Sequence, residues 1–193
     1  MYEIPTTVLI EGQSYAIRNK GDFRMVLDCF IALNDTELSE QERILSAIII
    51  FFDGFTDVED VEQFESIEEA VKQMYIFFNC GREDTGQREL PKLIDWKTDS
   101  QLIASAINKV AGMEIRAEKY IHWWTFMGYY MAVGQSALST VVGIRYKMLK
   151  GKKLEKYEKQ FKADNPQYFV WDSRTTEEKE LDELVKSLWN SGR

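Results

Sequence analysis

The chain has 193 residues, of which 45% are hydrophobic and 29% charged, with a formal net charge of −8. That length can bury a sizeable core, so residues 1–193 read as one compact domain. The acidic balance argues against nucleic acid as the main partner, because affinity for a phosphate backbone comes largely from clustered Lys and Arg.

The start, Met1-Tyr2-Glu3-Ile4-Pro5, has neither the basic segment nor the apolar core of a signal peptide, so the chain is expected to stay in the cytosol. Val8 to Ile17 has apolar runs on either side of a turn containing Gly12 and predicts a short β-hairpin within residues 1–20. A lone hairpin is marginal in water, so it has to lie against a helical body, residues 21–165. Asp22 caps a first helix ending near Leu33. Ser39-Glu40-Gln41-Glu42 is a capping box, followed by Ile44, Leu45, Ile48, Ile49 and Phe52 at helical spacing. Ser66 to Glu69 repeats the device before Ala70, Val71, Met74, Tyr75 and Phe78, with Asn79-Cys80-Gly81 as the stop. Gly81 to Leu90 is the loosest internal stretch. Thr98 to Gln101 caps a further helix carrying Leu102, Ile103, Ala106, Ile107 and Val110, and Gly112 ends it.

Between Tyr120 and Ile144 there is no charged side chain. Three glycines and several hydroxyls dilute this stretch too far for a membrane span, and Gly134-Gln135-Ser136 breaks it into two shorter helices. Apolar residues cover nearly every face from Tyr120 to Val133, the pattern of a helix buried at the centre of a fold. Beyond it, seven lysines between Tyr146 and Lys162 could meet an acidic partner or RNA, yet they recur around Leu154, Tyr157 and Phe161, as the wet face of an amphipathic helix would. Asn165-Pro166 ends that helix and opens residues 166–193, a linker and a last helix starting at Thr175-Thr176-Glu177-Glu178. The fold class is mainly α, a compact bundle of about eight helices with a short N-terminal β-hairpin.

Catalytic options are few. His122 is the only histidine, so no two-imidazole metal site can form within one chain, and a Ser-His-Asp arrangement would have to use this ring. Flanked by Ile121 and Trp123, it reads as a core imidazole; an enzyme using it would lose its activity in His122→Ala. Cys29 and Cys80 are far apart and belong to no paired motif, so they read as buried reduced thiols. Asp53 to Asp60 fails as a calcium loop because Phe55, Val58 and Phe64 fall where oxygen ligands and glycine are needed, which leaves a solvated connection. No phosphate loop or nucleophile elbow is present, and no catalytic residue, metal or cofactor is assigned. The last helix carries Leu181, Leu184, Val185, Leu188 and Trp189 on one stripe, which either packs on the chain's own core or enters a partner's groove.

The segment from Asp95-Trp96 through Asp99, Leu102-Ile103, Ala106-Ile107-Asn108 and Gly112-Met113-Glu114-Ile115 to His122-Trp123-Trp124-Thr125-Phe126, closing at Ile144-Arg145, resembles the "gene product fifteen" family of phage proteins. That family belongs to the tail modules of siphophages and prophages of Gram-positive bacteria. The hairpin and the helix bearing Phe23, Val26, Leu27 and Phe30 are also similar. The resemblance implies a non-enzymatic tail assembly chaperone acting in the bacterial host cytoplasm and absent from the mature virion. The partner it implies is the tape-measure protein, with the tail-tube protein and further copies of the chain as additional ones and no nucleic acid or membrane. A virion subunit, such as a connector or completion protein, is the alternative. No site residues come with the resemblance; His122, Trp123, Trp124 and Phe126 are then the core that identifies the family.

Overall fold

A computed structural model describes residues 3–62, 64–83 and 93–170 of the chain. Among them are eight α-helices and one two-stranded antiparallel sheet, the mainly α fold with an N-terminal hairpin that the sequence predicts. Packing divides the chain into two compact units. The first is drawn from Met1–Thr85 and Ile103–Val133, the second from Gly86–Leu102 and Gly134–Arg193. No described helix is long and apolar enough to cross a membrane.

In the first unit, β1 (Thr7–Ile10) pairs with β2 (Gln13–Ala16) in the register Thr7↔Ala16 to Ile10↔Gln13. The turn between them puts Glu11 and Gly12 at φ 51° and 84°, the double left-handed turn whose twist suits a two-residue hairpin loop. The hairpin is fastened to the body as expected: Ile17 bridges to Phe52, and the Asp53 amide donates to Ala16 O at 2.9 Å. Helix α1 (Phe23–Leu33) starts at Asp22, whose carboxylate accepts from the Arg24 amide. Helix α2 (Glu40–Phe51) has the reciprocal Ser39/Glu42 box, and α4 (Ile67–Phe78) is capped by Ser66. Between them lies α3 (Val58–Val61), one turn held by Asp57 and Asp60 inside the stretch that the sequence suggests is only a connection. Phe51, Phe52, Phe77 and Phe78 are buried and meet edge to face at the centre of this unit. Helix α5 (Ser100–Ala111) ends at Gly112, φ 70°, as the glycine rule predicts.

The start of α5 differs from the expected Thr98 cap. Asp95 accepts from the amides of Lys97 and Thr98 at 3.0 and 2.7 Å and so begins the turn three residues early. The charge-free stretch does divide, into α6 (Trp123–Met131) and α7 (Ala137–Leu149). Helix α6 is not buried all round: Trp123 and Phe126 are 1% exposed, but Met131 is 69% exposed. In α8 (Lys156–Asp164) the expected apolar face is also corrected. Tyr157 is 66% exposed, while Glu158 is buried because it takes the Lys147 ammonium at 2.7 Å. A 3-10 turn, Pro166–Phe169, follows. The last predicted helix, with Leu181, Leu184, Val185, Leu188 and Trp189, lies outside the described residues, as does most of the loose stretch before Leu90.

Candidate functional site

The densest polar network of the first unit is built around the His122-Trp123-Trp124 run. His122 is the N-cap of α6: its Nδ1 accepts from the Trp124 amide at 3.0 Å. An accepting Nδ1 carries no proton, so the neutral ring bears its hydrogen on Nε2, which donates to Pro5 O at 3.0 Å. The two indoles then reach the end of α4, where the last carbonyls of a helix have no partner within it. Trp123 Nε1 donates to Phe78 O and Trp124 Nε1 to Phe77 O, both at 2.9 Å. Trp123 also stacks on Phe126 and meets the edge of Phe30, and Phe126 stacks on Phe23 at 4.5 Å. Thus one short sequence block pins the N-terminal segment, α1 and α4 together.

Asp22 completes the network. One carboxylate oxygen accepts from the Ile121 amide at 3.0 Å and the other from Arg24, whose guanidinium also donates to Ile115 O and Glu118 O. The backbone just before it turns left-handed through Asn19, Lys20 and Gly21, and the Tyr120 hydroxyl holds Lys20 O at 2.9 Å. Gly21 cannot be replaced without movement: a Cβ there would stand 2.7 Å from Phe77 Cζ and 2.9 Å from His122 Nε2. Arg18, four residues earlier than Asp22, donates to the carbonyls of Ile49, Ile50, Phe52 and Phe55 at the end of α2. A cleft of about 700 Å³ beside this network is lined by both signs of charge, including Arg18, Lys20, Asp28, Glu118 and Lys119. Its Arg18 and Arg24 are committed to the fold.

The second unit has its own buried pair. Arg145 and Asp99 are fully buried and joined twice, at 2.6 and 2.9 Å, and the guanidinium also donates to Leu93 O and Tyr168 O. Sequence reading names both residues within the family pattern without pairing them. The signal was present: Arg145 is the charge that closes the long uncharged stretch, and a cation at the end of an apolar run needs a carboxylate.

The arrangement is a scaffold in chemical terms. Both nitrogens of His122 are engaged, and burial, opposed by the Pro5 bond and the Asp22 charge, lowers its pKa below the ordinary 6.5. Burial raises the pKa of both Cys29 and Cys80, the reverse of what an activated thiolate needs. Among the described residues no group of three His, Cys, Asp or Glu side chains is placed to hold a metal ion. Of the residues that the sequence singles out, His122, Trp123, Trp124 and Phe126 come together here, and the stripe from Leu181 to Trp189 lies outside the described residues.

Protonating His122 Nδ1 would remove the acceptor of the Trp124 amide. Since the folded pKa is lowered, the unfolded chain takes up the proton first, so stability present at neutral pH is lost as pH falls through about 6.5. Urea midpoints between about pH 7 and pH 5 should fall more for the wild type than for His122→Asn, whose side chain can still cap the helix but does not titrate. Parallel curves would show that the ring is not the titrating group.

A protein-family model described as Bacteriophage Gp15 protein matches residues 1–168 of the chain, which includes every element described above up to the turn after α8. No curated protein and no solved structure matches.

Proposed function

The chain belongs to the Bacteriophage Gp15 protein family, and from that premise we propose that it is a non-enzymatic tail assembly chaperone. It binds the phage tape-measure protein in the host cytoplasm, keeps it soluble until the tail tube polymerises, and is left out of the mature virion. The observation that carries a binding role over a catalytic one is the commitment of His122. The one imidazole of the chain caps α6 through Nδ1 and holds Pro5 through Nε2, so it has no nitrogen free to move a substrate's proton. An acidic body resists aggregation, while apolar side chains left on its surface can cover a partner's helix. The proposed client surface is the C-terminal stripe of Leu181, Leu184, Val185, Leu188 and Trp189, laid into the tape-measure protein as an amphipathic helix.

Co-expression with the tape-measure protein of the same phage should raise that protein's soluble fraction and yield a complex on purification. An insoluble tape-measure protein that does not co-purify refutes the chaperone reading. A stoichiometric signal for this chain in mass spectra of purified particles would instead make it a virion subunit. Deleting everything after Asp172 is expected to abolish the complex while leaving the thermal midpoint in place. A fall in that midpoint would assign the stripe to the chain's own core.

A further inference from the structure

Charge is unevenly distributed along this chain. From Asp35 to Glu69 there are twelve acidic residues against Arg43 alone, whereas residues 134–170 hold eight basic residues against Glu155, Glu158 and Asp164. The second region is basic on its surface as well as in its sequence. Arg145 is buried, and Lys147 is tied to Glu158, but Lys150, Lys152, Lys153, Lys156 and Lys159 are exposed. They accompany exposed apolar side chains: Tyr157, and Tyr146 with Leu149 one turn on along α7, with the Lys152 ammonium 5.2 Å from the Tyr146 ring. A solvated lysine face has no need of tyrosines turned to water.

The acidic region has the complementary character. Glu62, Glu65 and Glu68 are exposed, and Glu11 at the hairpin tip has its pKa raised by desolvation and by the neighbouring carboxylates of Glu65 and Glu69. These groups repel one another in the isolated chain and would be relieved by cations brought from outside. Leu9, Val58 and Ile67 are exposed on the same hairpin, α3 and α4 elements, so this region too offers apolar anchors.

We propose that the lysine and tyrosine face of α7 and α8 docks on the acidic face of the hairpin, α3 and α4 of a second copy of this chain. The contact is head to tail, so a pair retains one free acidic face on one copy and one free lysine face on the other, and assembly continues into a ring or an open chain. A second copy fits the lysine face better than nucleic acid does, because it sets apolar anchors, Leu9, Val58 and Ile67, beside its carboxylates to meet the exposed Tyr146, Leu149 and Tyr157, which a phosphate backbone does not offer. The contact does not depend on which client the protein serves.

The test is the mass of the full chain by light scattering at high micromolar concentration. Raising the ionic strength from about 0.1 M to about 1 M shortens the screening length from about 10 Å to about 3 Å, so multiples of the monomer at the lower salt should collapse to monomer at the higher. Lys153→Glu, Lys156→Glu and Lys159→Glu combined should be monomeric at low salt, and so should Glu62→Lys with Glu65→Lys. All five positions are exposed, so the fold should tolerate the changes. Mixing the two variants should restore assembly through the one intact pair of faces. A wild type that is monomeric at low salt, or a lysine variant that assembles like the wild type, overturns the proposal. So does a monomer whose lysine face instead binds a single-stranded oligonucleotide in a salt-sensitive way.

Discussion

Arg145→Met is expected to destabilise the protein by about 3–5 kcal/mol, a large share of the roughly 5–15 kcal/mol that holds a typical domain together. The guanidinium is 0% exposed and joins three segments of the second unit: Leu93 and Asp99 before α5, α7 itself, and Tyr168 after α8. Methionine fills similar space but leaves the Asp99 carboxylate buried, where it still accepts from the Asp95 amide at 2.9 Å. The cost comes from that abandoned charge more than from the bond itself. The double variant Arg145→Met with Asp99→Leu should therefore recover part of the loss, while the carbonyls of Leu93 and Tyr168 keep a penalty of about 1–3 kcal/mol. Urea unfolding of both variants decides the matter. A single variant costing less than about 1 kcal/mol would mean that water reaches Asp99 and that the pair is not closed.

Trp123→Ala should be about as damaging, at about 3–5 kcal/mol, because it empties a site where the ring is 1% exposed. Trp123→Phe separates the two contributions. Phenylalanine keeps the stack on Phe126 and the edge contact with Phe30, but it has no donor for Phe78 O, so about 1–3 kcal/mol is expected for the orphaned carbonyl alone. If both variants cost the same, packing contributes little and the indole N–H dominates. If Phe is free of cost, the end of α4 finds another donor.

What could be foreseen in this chain was whatever a few neighbouring residues decide. Asp22, Ser39 and Ser66 start their helices as expected because a cap needs only its own side chain and an amide two or three residues away. The Thr98 cap failed for a non-local reason: Asp99, in the middle of the motif, is turned to Arg145, 46 residues on, and Asp95 takes over the free amides. Tyr157 was placed on the wrong face of α8 because the partner that buries Glu158 comes from α7. The single turn of α3 is too short to show a period. The apolar surroundings of His122, Trp123, Trp124 and Phe126 were legible in the sequence; in the fold Trp124 is half-buried and the other three are buried. Their bonds to Pro5 and to the end of α4 were not, since spacing along one helix says nothing about which distant carbonyl lies open to it.

The indole bonds also set a clock. Trp123 and the carbonyl it satisfies are 45 residues apart, and the first unit draws on two stretches of chain separated by a piece of the second. A ribosome adding about 5–20 residues per second needs about 2–9 s to pass from Phe78 to Trp123. Throughout that interval the end of α4 is without its indole donors, and the Phe77 ring is without its His122 and Trp124 neighbours. A stall between those two positions therefore leaves the end of α4 uncovered for longer than one after α6 does.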